Sequence, residues 1–297
     1  MEKNKCLKLE SNNYNIQMKG KNNFIIRKAN GNKEYFSFEK LNQSLINSGA
    51  SIDTAKGIIE VLEEKIDEGI TTNKIHSMAF RMLKKHSLKS ASCYYLKKGI
   101  MELGPTGYPF ETFISYIFRE QNYHTERSVI LQGKCVSHEI DVIARKEEEI
   151  MIMECKYKNT SGIAVDVKVP LYINSRFQDI LDNGLVSSPF NKYKGWIVTN
   201  SRFTQDAKQF AKCKNIQLLS WDYPFNNSLK KIIDTFRLYP ITCLNTITKN
   251  EKSWLLNKKI VLVKELINNE KSLINAGVSS KRLSKVINEI NNLCQTL

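Results

Sequence analysis

Two rhythms of apolar residues alternate along this 297-residue chain, and the places where one yields to the other mark its parts. Residues 1–20 follow neither; rich in Asn and Lys, they read as a flexible tail. Residues 24–27 (Phe-Ile-Ile-Arg) read as a strand, 29–32 as a turn and 34–38 as the returning strand. Helical spacing then predicts helices over 38–48, closed by Gly49, and over 51–68, closed by Gly69. Two more follow over 72–85, with Ile75, Ala79, Met82 and Leu83 on one face, and over 90–103.

The middle of the chain changes rhythm again. A helix starts at Tyr108-Pro109-Phe110-Glu111, turns Phe113, Ile114, Ile117 and Phe118 inward and holds Glu111 in its first turn. Two apolar-rich runs, 138–145 and 150–157, flank the charged link 146–149 and read as a β-hairpin. A helix over 169–182 follows, with Ile173, Phe177, Ile180 and Leu181 at helical spacing. A strand over 195–199, a helix over 204–213 and a strand over 216–219 then form a unit whose length implies a parallel pair with a right-handed crossover. From 225 onward the pattern is helical, over 228–238, 249–256, 262–268, 271–275 and 280–294. The predicted fold is of the α/β class: a mixed sheet flanked by helices over 105–224, a mostly helical domain over 21–104 before it, and an all-α domain over 225–297 after it.

Charge adds a partner to this outline. Lys plus Arg number 45 against 30 Asp plus Glu, for a net charge of +15. Residues 1–104 carry 18 basic and 11 acidic groups, 105–224 carry 15 and 14, and 225–297 carry 12 and 5, so the excess sits at the two ends. Such a field concentrates polyanions, with nucleic acid and nucleotide foremost; a merely soluble basic surface is the bland alternative. No apolar run reaches membrane-spanning length and the first residues lack a signal core, which points away from membranes and toward the cytoplasm. The seven cysteines are scattered without a CxxC pair, so neither a disulfide framework nor a structural zinc site is expected.

The chemistry concentrates in the hairpin. With Glu147-Glu148 at its tip, Asp141 faces Glu154 and Glu139 faces Lys156, and these four share one sheet face. Three carboxylates beside one lysine form a site for a hard cation, with Mg²⁺ the ordinary answer to their repulsion. A cation held by Asp141 and Glu154, with Lys156 beside it, points to phosphodiester hydrolysis. The alternative is a salt-bridged strand surface. His138 falls on the opposite strand face, and Gln178 on the next helix is either within reach of the site or plain surface.

Asp141…Glu154-Cys155-Lys156 within the order helix, hairpin, helix, strand-helix-strand resembles the PD-(D/E)XK nuclease superfamily. Ile197-Val198-Thr199-Asn200-Ser201-Arg202-Phe203-Thr204, followed by Ala207 and Phe210-Ala211, is similar to the second half of its Mrr-like restriction endonuclease branch. The resemblance implies a Mg²⁺-dependent DNA endonuclease. Asp141 and Glu154 would be metal ligands, Lys156 the catalytic lysine and Glu111 an outer or second-metal carboxylate. A restriction or defence role is implied by the same analogy.

Residues 21–104 resemble the ATP-cone domain, through Ile26-x-Lys28-x-x-Gly31, then Lys40, then Gly69-Ile70-x-Thr72-x-x-Ile75-His76, and a closing Tyr95-Leu96 helix that ends Leu103-Gly104-Pro105. This implies ATP or dATP as an allosteric ligand, with Lys28 and Lys40 on phosphates and Thr72 and His76 near the nucleotide. Solvated lysines and a partly buried histidine are the plainer reading. Ala29 stands where that family commonly has a second basic residue, and Arg27 would point to the other strand face. At the C-terminal end, 246–249 and 276–281 loosely resemble helix-hairpin-helix units, with Lys281, Arg282 and Lys285 as phosphate contacts. Double-strand cleavage with one site per chain would favour a homodimer or higher oligomer. The rival is a non-catalytic, nucleotide-responsive DNA-binding or regulatory protein.

Overall fold

The computed structural model describes residues 24–28, 31–184 and 192–294, so the tail expected over 1–20 lies outside it. Strands β1 (Ile25–Arg27) and β2 (Lys33–Tyr35) pair antiparallel, with Ile25 opposite Tyr35. Helices α1 (Phe38–Asn47), α2 (Ile52–Glu63), α3 (Thr72–His86) and α4 (Leu88–Met101) follow. Each begins at a Ser or Thr whose side-chain oxygen accepts a first-turn N–H: Ser37, Ser51, Thr71 and Ser87. Helix α2 stops five residues short of the expected Glu68. Ile66 folds back into the core, its N–H on the Leu62 carbonyl, and Gly69, at φ +81°, donates to the Ile25 carbonyl and closes the segment onto the hairpin.

Helix α4 is buried nearly all round because it serves two cores. Ala91 and Tyr94 pack with Leu45, Ile58, Leu62, Ile75 and Leu83 of the N-terminal helices. Leu96, Ile100 and Leu103 join a second core with Phe110, Phe113 and Ile117 of α5 (Tyr108–Arg119). That core continues through Leu229, Ile241, Leu255, Leu273 and Leu293. The C-terminal helices therefore close over α4, α5 and one sheet face.

The central sheet has five strands in the order β3 (His124–Gln132), β4 (Ser137–Lys146), β5 (Glu149–Lys156), β6 (Lys192–Thr199) and β7 (Gln217–Leu219). The first three pair antiparallel and the last three parallel, with α6 (Lys168–Asp182) and α7 (Gln205–Cys213) as crossovers. The hairpin pairs Lys146 with Glu149 and Val142 with Met153, the register its charged tip predicted. Strand β3 was not among the expected elements. As an edge strand it buries only Thr125 and leaves Ile130 exposed, and its short apolar run Val129-Ile130-Leu131 lacks the alternation that marks a half-buried strand.

Alternation along β4 and β5 sends Val142, Ala144, Met151 and Met153 toward α5, and Ile143 and Ile152 toward α6. On that second face Phe177 of α6 lies so close to Gly195 of β6 that a Cβ there would meet the ring at 2.3 Å. Beyond the sheet come α8 (Leu229–Phe236), α9 (Lys249–Asn257), α10 (Glu270–Asn275) and α11 (Ser280–Cys294). The helix expected over 262–268 is a single 3₁₀ turn, Val263–Leu266. Glu289 of α11, only 1 % exposed, accepts from the N–H groups of Asn245 and Thr246 and from the hydroxyls of Thr246 and Ser92. It thereby ties the C-terminal end to α4. No helix among the described residues is long and apolar enough to cross a membrane.

Candidate active site

The expected acids and lysine meet where β4 and β5 part. Their backbone pairing ends at Val142 and Met153, and beyond it the Asp141 side chain takes over, Oδ2 accepting from the Cys155 N–H at 2.7 Å. Strand β5 is held from its other side, since Glu154 pairs with Ile197 and Lys156 with Thr199 of β6. The Thr199 hydroxyl also donates to the Lys156 carbonyl at 2.6 Å. Next to Lys156, the Tyr157 hydroxyl donates to the Met101 carbonyl at 2.5 Å and accepts from the Gly104 N–H at 2.8 Å. The end of α4 thus fixes the strand that carries the lysine.

Glu154 is buried and bound by two cations, Lys156 Nζ on Oε1 and Arg176 Nη1 on Oε2, both at 2.6 Å. Arg176, on α6, also donates to the Glu139 carbonyl. Arg176 is not among the site residues expected from sequence; Gln178, expected either within reach of the site or as plain surface, is exposed. The available signal was position: Arg176 stands three residues after Ile173 and beside Phe177, both of which face the sheet.

The cluster of three carboxylates beside one lysine needs correction. Lys156 pairs with Glu154, Glu139 is exposed, and among the described residues no three His, Cys, Asp or Glu side chains are placed to share one ion. The reason is Arg176, which with Lys156 holds both Glu154 oxygens. Two further carboxyls at the site are shifted upward. Burial, reinforced by the Glu154 charge, pushes Asp141 up to about 6 despite the Cys155 N–H. Burial and the Asp141 and Glu139 charges push Glu111 up to about 7. Carboxylate oxygens suit a hard divalent cation, and Asp141 and Glu154 are the residues that would hold it, with Glu111 near them on α5. Glu111, Glu139, Asp141, Tyr172 and Arg176 line one open groove, where such an ion would be reachable from solvent.

His138 also borders this groove, but its ring turns to α6, with Nε2 2.7 Å from Asp179 Oδ2. Asp179 further accepts from the N–H groups of Cys135 and Val136, and with His138 these hold its carboxyl well below the usual range. The pair fastens the β3–β4 turn to α6.

The other expected site residues are more dispersed. Lys28 pairs with Glu34 across the first hairpin at 2.5 Å, and Lys40 is exposed on the first turn of α1. Thr72 opens α3, and one turn on His76 stacks on Tyr94 with ring centroids 4.4 Å apart, where burial lowers its pKa. The hollow beside β1 is bordered by Ile25, Arg27, Lys33, Glu68 and Gly69, and by none of those four. Lys281 and Lys285 are exposed on α11. Arg282 is drawn inward, with Nη1 2.7 Å and Nη2 3.0 Å from the two Glu251 oxygens and a further bond to the Thr246 carbonyl, so its guanidinium is spent within the fold.

Comparison with known proteins bears on the family and the fold. Residues 105–223 match the Mrr-type catalytic domain described as a restriction endonuclease, and residues 239–294 match the AF1548-like C-terminal domain. An uncharacterized protein of Archaeoglobus fulgidus is 32 % identical over 174 residues, 58 % of this chain and 95 % of that one. The crystal structure of AF1548, a protein of unknown function, is 30 % identical, with a TM-score of 0.53 over 64 % of this chain and 98 % of that one. The overlap with the MspJI restriction endonuclease bound to a 27-mer oligonucleotide, TM-score 0.27 at 12 % identity over 47 % of this chain and 29 % of that one, is too loose to carry weight. A domain matching restriction endonucleases, its sheet and crossover helices in place, and near-complete coverage of relatives at 30 % identity or more put this chain in the AF1548-like family.

Proposed function

We propose that this protein is a Mg²⁺-dependent endonuclease that hydrolyses phosphodiester bonds in DNA. The observation that supports it most is the junction of Asp141 and Glu154 with Lys156 at the parting of β4 and β5, beside an open groove lined by Glu111, Glu139 and Asp141. Bound Mg²⁺ would supply a Lewis acid for a phosphate oxygen and a more acidic water. The chain's own groups do the rest. Lys156, a third exposed, offers its ammonium to the attacking water or to the charge that builds on phosphorus, and Glu154 keeps it in place. Arg176 sets the Glu154 carboxylate and, through the Glu139 carbonyl, the strand before Asp141. Plasmid incubated with Mg²⁺ should be cut by the wild type and left intact by Asp141→Ala and by Lys156→Ala; equal behaviour of wild type and Asp141→Ala ends the enzymatic reading. A non-catalytic DNA-binding protein would instead bind DNA with no metal requirement.

Control by ATP or dATP belongs to the same proposal. Its support is α4, which packs in both cores and whose last residues grip Tyr157 beside Lys156. Cleavage should respond to one of these nucleotides in the wild type and not in Lys28→Ala/Lys40→Ala. Cutting both strands with one site per chain calls for two copies, which light scattering on the DNA complex would count.

A further inference from the structure

Outside the acidic groove, two cations from distant parts of the chain converge on one phenol. Tyr108 opens α5, one turn before Glu111. Arg127, on β3, places its guanidinium carbon 5.0 Å from the Tyr108 ring centre and donates to the Thr112 hydroxyl. Lys259, from the C-terminal helical region, places Nζ 5.7 Å from the same ring. Among the described residues neither cation is in an ion pair with a carboxylate. Two like charges brought together raise the local potential; Arg127 also acts on the nearby Glu111 carboxyl, and Lys259 has no carboxylate within ion-pair distance among the described residues. The phenol registers that potential: although burial raises it, Arg127 and Lys259 together hold Tyr108 below its usual range.

A second, independent observation concerns the backbone. Lys259 follows the last turn of α9 at φ +64°, and its N–H bonds the Leu256 carbonyl. That is the position at which helices favour glycine, because an L side chain there is strained. The lysine is exposed, and Arg237 after α8 takes the same left-handed conformation. What Lys259 does is reach over Tyr108 toward the end of α5 that carries Glu111.

We propose that Arg127, Lys259 and the Tyr108 hydroxyl form a phosphate-binding site for a nucleic-acid strand, adjoining the groove of Glu111 and Asp141. The C-terminal region would then contact the strand at the active site itself, through Lys259. The nuclease reading enters only in naming the anion as a strand phosphate.

The test uses the full chain and a short fluorescent DNA duplex in EDTA over a range of KCl. Lys259→Gln should weaken binding and flatten the slope of log affinity against log salt by about 0.9, the share of one phosphate contact. Arg127→Lys, which keeps the charge and loses the fork, should weaken binding with little change of slope. Lys56→Gln on α2, an equal loss of charge elsewhere on the surface, should change neither. Lys259→Gly separates function from structure: relief of the left-handed strain should leave the unfolding midpoint unchanged or raised while DNA binding falls.

Unchanged slope and affinity in Lys259→Gln would overturn the proposal, and so would absence of DNA binding by the wild type at low salt. Titration with inorganic phosphate covers the remaining source. A phosphate ion lost on Lys259→Gln with an unaltered DNA slope would mark a free-anion site and overturn it as well. Cleavage is read separately with Mg²⁺: binding with the expected slopes but no cutting refutes the nuclease reading and leaves this site standing, and cutting with unmoved slopes does the reverse.

Discussion

Replacing Arg176 by Met tests whether the buried ion pair organises the candidate active site. The side chains of Arg176 and Glu154 are 14 % and 8 % exposed, so removing the guanidinium leaves a carboxylate that water cannot fully resolvate. Losing one partner of such a pair costs about 3–5 kcal/mol when the other charge is stranded. Here Lys156 keeps Oε1, which brings the cost to about 2 kcal/mol, and the donation to the Glu139 carbonyl adds up to roughly 1 kcal/mol. Equilibrium urea unfolding of the metal-free protein should therefore show a loss of about 2–3 kcal/mol. Glu154→Gln in a double-mutant cycle should recover about 1–2 kcal/mol of coupling, because neutralising the acid removes the reason for the cation. A cost below about 0.5 kcal/mol, or strict additivity of the two changes, would refute the reasoning. Met is chosen to keep the apolar stem against Tyr172, whose ring lies 5.7 Å from the guanidinium carbon.

The remaining predictions concern protonation and packing. Between its ordinary value of 4.5 and about 7 the folded state holds a proton on Glu111 that the unfolded chain releases. Its contribution to stability is thus present at low pH and lost as pH rises through 7, amounting to roughly 1–2 kcal/mol once solvent screening is allowed for. Urea midpoints of Glu111→Gln between pH 4.5 and 7.5 should lack that slope. Glu289→Ala strips the acceptor from two backbone N–H groups and two hydroxyls and should cost about 3 kcal/mol, seen in the same assay; Glu289→Gln, which keeps some acceptor capacity, should cost less. A Cβ on Gly104 would stand 2.6 Å from the Tyr157 ring, so Gly104→Ala should cost about 1–3 kcal/mol and slow cleavage by displacing the strand end that carries Lys156.

Local chemistry by itself determined much of this protein. Apolar spacing marked α1, α3, α5, α6 and α7, and the charged tip Glu147-Glu148 set the register that puts Asp141 and Glu154 at one strand end, because periodicity and turns act over a few neighbouring residues. For Glu111, helical spacing gave only its place in the first turn of α5; its link to the other two came from the family resemblance. Only the tertiary structure decided who neutralises whom. Arg176 reaches Glu154 from 22 positions away, Arg282 reaches Glu251 from 31, and Glu289 meets Ser92 from 197, with no repeat or spacing to announce them. The edge strand β3 escaped notice because it buries so little, and α4 looked like the end of one domain although two cores claim it. Periodicity records which side of an element faces an interior, whereas the pairing of charges depends on which distant element arrives at that side, and that is set by packing the whole chain.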